Sequence, residues 1–194
     1  GIMRVFEIER KTKETNISLY INIDGSGKVK SKTRIGFFDH MITALGTHAG
    51  FDITLEVGGD IEVDCHHTVE DTGIVLGQAI RQAIGDGKGI TRFADCFLPM
   101  DEALGFAAID ISGRGFLAFE ADFAYKNCGD YEVDATPEFF RALAMNAGIT
   151  MHMKLLAGEN DHHKIEALFK ACARCLREAL TVKGDKIPSS KGVI

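Results

Sequence analysis

One pattern written twice limits what this chain can fold into. His66-His67-Thr68-Val69-Glu70 and His162-His163-Lys164-Ile165-Glu166 both read His-His-x-x-Glu, and they use four of the seven histidines. Their flanks repeat with them. Glu14 opens a segment that reaches Gly25 eleven residues on, and Glu102 opens one that reaches Gly113 at the same distance. His40, Leu45, His48, Ala49 and Gly50 align with Glu138, Leu143, Asn146, Ala147 and Gly148. Self-similarity of this kind marks one supersecondary unit used twice. The 194 residues therefore read as a single domain, 1–194, built of two diverged repeats, about 1–90 and 91–187, with a short tail, 188–194.

The local patterns agree with a repeated plan. Residues 5–10, 17–23 and 28–33 read as strands, and the turn Asp24-Gly25-Ser26-Gly27 predicts a hairpin between the last two. Residues 38–50 predict a helix ended by Gly50, 51–57 a strand, and 68–84 a helix that stops near Gly85-Asp86-Gly87. The second half predicts strands at 106–112 and 115–123, a helix at 137–147, a strand at 149–155 and a long helix at 163–180. The expected class is α/β (α+β): duplicated sheet-and-helix halves packed as a sandwich, sheets outside and helices between.

Composition narrows the function classes. A hydrophobic content of 45% with 26% charged residues fits a globular chain in water, and no apolar run is long enough to span a bilayer. The first ten residues alternate like a strand and carry no secretion-type apolar core, so a cytoplasmic protein is expected. A net charge of −6 without blocks of like charge gives nucleic-acid binding no support. The five cysteines, at 65, 96, 128, 172 and 175, are odd in number and scattered, which argues against a disulfide framework. Cys172 and Cys175 form a CxxC inside an apolar helical run and read as buried thiols of a reduced compartment.

The repeated motif suggests metal chemistry. At a helix start, His66 and Glu70 share one face, as do His162 and Glu166, and imidazole plus carboxylate at that spacing chelates a divalent ion. His67 and His163 point about 100° away, so each motif should serve two ions, with further ligands from other segments. Phe37-Phe38-Asp39-His40-Met41 supplies His40, with Asp39 either capping the helix or orienting His40. Glu138, aligned with His40, is also a competent ligand. His48 has no histidine in the aligned position, which suggests a substrate contact, whereas His152 reads as a sheet histidine. Lys170 follows Glu166 by one helical turn and could face the same site. An imidazole and carboxylate set suits Mn²⁺, Fe²⁺ or Zn²⁺.

Phe38-Asp39-His40-Met41, His66-His67-Thr68-Val69-Glu70-Asp71, His162-His163-Lys164-Ile165-Glu166 and Pro188-Ser189-Ser190-Lys191-Gly192 occur in the order found in imidazoleglycerol-phosphate dehydratases. Lys11-Thr12-Lys13-Glu14-Thr15 and Asp101-Glu102-Ala103-Leu104 match as well. The chain resembles that family over essentially its whole length. The resemblance implies a hydro-lyase of histidine biosynthesis that dehydrates D-erythro-imidazoleglycerol phosphate to imidazoleacetol phosphate. It implies two Mn²⁺ per active site bridged by the substrate's imidazolate, with metal ligands among His40, His66, His67, Glu70, Glu138, His162, His163 and Glu166. Many members carry His where this chain has Glu138. Glu14 is the implied catalytic carboxylate, with His48 and Glu166 beside it. Arg92, Arg114 and Lys191, helped by Ser189 and Ser190, match phosphate-binding positions. The resemblance also implies a homo-oligomer of 24 subunits with active sites between subunits. The ligand set alone would equally allow a dimetal hydrolase or a metal-storage shell; the phosphate cations favour the dehydratase.

Overall fold

The computed structural model describes residues 3–58, 62 and 64–194. In the first half, β1 (Val5–Lys11), β2 (Asn16–Asn22) and β3 (Val29–Lys32) precede helix α1 (Gly36–Ala49), strand β4 (Asp52–Val57) and helix α2 (Cys65–Ile84). In the second half, β5 (Phe93–Met100), β6 (Ala103–Asp110) and β7 (Phe116–Glu120) lead into the short pair β8 (Asn127–Cys128) and β9 (Tyr131–Glu132). Helix α3 (Ala135–Ala147), strand β10 (Thr150–Ala157) and helix α4 (Asp161–Ala179) follow.

The two large sheets have the same wiring. Their orders are β1-β2-β4-β3 and β5-β6-β10-β7. In each, the first three strands of the order are antiparallel neighbours and the fourth joins in parallel. Alternation then sorts the faces. Ile17, Leu19, Ile21, Ile53 and Leu55 of one sheet point inward, as do Ala107, Ile109, Met151 and Met153 of the other. The helices fill the space between, with α2 against α3 and α1 against α4. The sandwich with outer sheets and inner helices is thus the observed architecture.

Close helix contact is permitted by glycine. A Cβ at Gly77 of α2 would lie 2.8 Å from both the Asn146 Cβ and the Leu143 carbonyl of α3. A Cβ at Gly73 would meet the Phe139 carbonyl at 2.7 Å. Next to this seam, Phe139, Phe140 and Phe169 form a ring cluster with centroids 4.7–5.2 Å apart.

One expectation needs correction, the pairing of β2 with β3. The Asp24–Gly27 turn does not make a hairpin of β2 and β3. The Asp52 carboxylate accepts from the Ser26 and Lys28 amides, both at 3.0 Å, and carries the chain over so that β3 pairs with β4 in parallel. Strands β6 and β7 are likewise separated, by β10. Strand β5 was not expected at all, and it supplies the edge of the second sheet.

Candidate active site

Each His-His pair sits in the first turn of a capped helix. Asp64 accepts from the His67 amide at 3.1 Å, and Asn160 accepts from the His163 amide at 3.0 Å. These side chains satisfy amides that the helix itself leaves free. The third relevant helix start is capped from a distance: Asp130 accepts from the Gly36 and Phe37 amides of α1, at 2.7 and 3.2 Å. The Asp39 side chain neither caps α1 nor hydrogen-bonds to His40. Its carboxylate accepts from the Ser31 hydroxyl at 2.6 Å and from the Thr33 amide and hydroxyl at 2.9 and 2.8 Å, tying the first turn of α1 to the end of β3.

These anchors bring one ligand group together. His40 Nε2 and His162 Nε2 lie 2.6 and 3.2 Å from the same Glu166 oxygen, Oε1. Ligand atoms of all three residues fall within 4.8 Å of one another. The Phe37 ring stands edge-on to His162 at 5.1 Å and limits its rotation. Glu166 is buried, and Lys170 donates to its other oxygen at 2.8 Å. Burial pushes the Glu166 carboxyl up, but the Lys170 ammonium and the two imidazoles outweigh it and hold the group below its ordinary value. Lys170, expected to face substrate, is thus engaged by Glu166.

The other expected ligands do not close a second group among the described residues. His66 Nε2 meets Glu132 Oε2 at 2.5 Å, and His67 Nδ1 lies 3.5 Å from Asp64. Glu70 is exposed and Glu138 half-buried. His163 Nδ1 is 2.5 Å from Glu102 Oε1. Glu132 had no signal in the sequence, because the β8–β9 hairpin delivers it from outside the repeated pattern. Glu102 did have one: it is the residue aligned with Glu14.

Glu14 lies in the β1–β2 turn. The Thr15 hydroxyl donates to Asp71 of α2, and the Glu14 amide donates to the Thr12 hydroxyl at 3.2 Å. The turn is pinned while the Glu14 carboxylate stays exposed. His48, half-buried at the end of α1, is held below its ordinary pKa first by burial and then by the charges of Lys170 and Arg174. It is therefore mainly neutral near pH 7, able to donate from one ring nitrogen and accept at the other.

The phosphate-type residues gather elsewhere. Arg92 pairs with Asp110 at the end of β6, Nε to Oδ1 at 2.7 Å, and donates from Nη1 to the Pro188 carbonyl at 2.8 Å. The tail turns back here, with the Lys191 amide donating to the Ser189 hydroxyl at 3.2 Å. Ser190 and Lys191 are exposed. Gly113, at φ 82°, lies so close to Ile194 that a Cβ would approach its carbonyl carbon to 2.6 Å. Arg114 is exposed in the same loop, whose shape is fixed by the Ser112 and Thr150 hydroxyls donating to its carbonyl at 3.1 Å. Glu102 and His163 stand at the opposite end of β6, whose eight residues cover about 24 Å.

A family model for imidazoleglycerol-phosphate dehydratase matches residues 33–176. The chain belongs to this family. It is 56% identical over 191 residues to the imidazoleglycerol-phosphate dehydratase of Caldicellulosiruptor bescii, covering 98% of each chain. It is 50% identical over 194 residues to that of Streptococcus sanguinis, covering 99% of this chain and all of the relative. Among solved structures, the Staphylococcus aureus dehydratase superposes with a TM-score of 0.84 at 37% identity, over 92% of this chain and 99% of that one. The Pyrococcus furiosus enzyme gives 0.80 at 36%, over 96% and 100%. The resemblance read from the motifs is borne out. With the family comes the reaction class: a lyase, a dehydratase of histidine biosynthesis that acts on a phosphorylated imidazole. No helix among the described residues is long and apolar enough to cross a membrane.

Proposed function

We propose that the chain converts imidazoleglycerol phosphate to imidazoleacetol phosphate with two Mn²⁺ ions, in an active site shared between copies of the chain. The observation that carries this reading is the meeting of His40, His162 and Glu166. The donors fit a divalent ion of that kind: two imidazoles, one carboxylate kept anionic, and no thiol. Cys65, which precedes His66, instead accepts from the Glu132 amide at 3.4 Å, and Cys172, six residues after Glu166, is buried. His66, His67, Glu70, Glu138 and His163 remain to hold the second ion. Held by these side chains, the ions would supply Lewis acidity that lets the substrate's ring carry negative charge during the loss of water.

The chain's own groups do the rest. Glu14, exposed on a pinned turn, would move the carbon-bound proton. His48, mainly neutral, is suited to hold a glycerol hydroxyl. Arg92, Arg114, Lys191, Ser189 and Ser190 would bind the phosphate.

Geometry supports sharing. The cationic corner and the His163 end of α4 are separated by the length of β6, farther than a three-carbon phosphate ester reaches. A second copy can bring its corner to the first copy's histidines, and closed symmetry, such as a particle of 24 subunits, would serve every site at once. Buried thiols at Cys172 and Cys175 suit a reducing, cytoplasmic setting.

Complementation tests this proposal. His162→Ala and Arg114→Ala, each inactive at limiting substrate, are stripped of metal, mixed and reassembled with Mn²⁺. Recovery of keto-product formation in the mixture is expected. Mixed assemblies with no recovery would contradict a shared site.

A further inference from the structure

The duplication places two carboxylates at equivalent points. Glu14 lies in the turn between the first two strands of its sheet, and Glu102 lies in the corresponding turn between β5 and β6. Their surroundings differ. The Glu14 carboxylate is exposed and makes no hydrogen bond or ion pair among the described residues. The Glu102 carboxylate is fully used. Its Oε2 accepts from the Glu159 and Asn160 amides at 2.8 and 2.9 Å, and its Oε1 faces His163 Nδ1 at 2.5 Å. Asn160 in turn caps the His163 amide. Ring and carboxylate are thus fixed to the same helix start.

We propose that Glu102 is a positioning residue that holds His163 with Nδ1 donating and Nε2 free for a divalent cation. The assignment follows from donor chemistry. An ionised carboxylate only accepts, so the nitrogen facing it must carry the proton. In a neutral imidazole the lone pair is then on Nε2. Among the described residues Nε2 makes no hydrogen bond; Asp101 Oδ2 stands 3.9 Å away, beyond hydrogen-bonding range, so this nitrogen is uncommitted. A carboxylate behind a histidine fixes the ring's tautomer and direction and strengthens it as a ligand. The duplicated carboxylates have therefore divided the work: Glu102 is locked onto a histidine and Glu14 is left free.

This inference rests on the two-ion reading for its consequence, but not for its geometry. The first measurement is magic-angle-spinning ¹⁵N spectroscopy of the metal-free, histidine-labelled full chain at alkaline pH, with His163 assigned by its loss in His163→Asn. A protonated Nδ1 and a bare Nε2 are expected; a protonated Nε2 would overturn the proposal. This result stands even if the chain takes up no divalent cation, an outcome that would defeat the two-ion reading alone. The second measurement is Mn²⁺ titration of Glu102→Ala, followed by electron paramagnetic resonance. One class of bound ion should weaken about ten- to a hundredfold. Glu102→Gln keeps the side-chain volume and serves if the alanine variant does not fold; about tenfold weakening is expected there. Wild-type affinity in either folded variant would overturn the proposal.

Discussion

His40 Nε2 lies 2.6 Å from Glu166 Oε1, joining residues 126 positions apart, one from each half of the duplication. Neither half can build this group alone, because α1 belongs to the first and α4 to the second. Replacing His162, the third member, should uncouple metal from fold. His162→Ala is expected to lose bound metal and turnover together while keeping a melting temperature close to wild type, since the imidazole is partly exposed. Metal analysis of the purified variant checks this. Full metal content with normal turnover would remove the assignment.

Glu14→Gln should keep fold, metal content and substrate affinity but lose most of its turnover. The substitution preserves shape and removes only the capacity to move a proton. Thr12, Thr15 and Asp71 still hold the turn. Steady-state kinetics decide: a rate within a few-fold of wild type would mean that Glu14 is not the acid–base group.

Lys191→Ala should act mainly through KM. Its ammonium is exposed on the tail and takes no part in the fold, so its loss removes a charged contact of about 1.5–3 kcal/mol, on the order of ten- to a hundredfold in affinity. Unchanged KM with a collapsed rate would count against a phosphate role.

The duplicated plan and the two His-His-x-x-Glu helix starts were legible because they are carried by local spacing: helix periodicity, caps and paired histidines survive in the one-dimensional pattern. Strand pairing was not. The Asp24–Gly27 turn has hairpin composition, yet Asp52, a residue far along the chain, decides where β3 goes. Strand β5 escaped notice because its outward positions include Phe93 and Phe97, which are 59% and 63% exposed, so apolar residues occupy both faces and the alternation vanishes. Its Pro99 also argues against a strand, and is tolerated because β5 is an edge. Within the site, Asp130 and Glu132 were invisible. They act across long sequence separations, and neither belongs to a repeated motif.

The seam between α2 and α3 gives a stability prediction independent of chemistry. Gly77→Ala places a methyl group against Asn146 and the Leu143 carbonyl, where backbone cannot easily yield. Destabilisation of about 1–3 kcal/mol is expected from overpacking, despite alanine's better helix propensity. Denaturant unfolding measures it, and an unchanged midpoint would show that the helices separate without penalty.

Dependence on two manganese ions is read by following keto-product formation from imidazoleglycerol phosphate as Mn²⁺ is returned to chelator-stripped protein. Turnover should be absent without metal, rise with added Mn²⁺ and level off at two ions per active site. A phosphate ester of the same length without the imidazole should yield no product. Undiminished turnover after complete metal removal would rule out a metal-dependent dehydration.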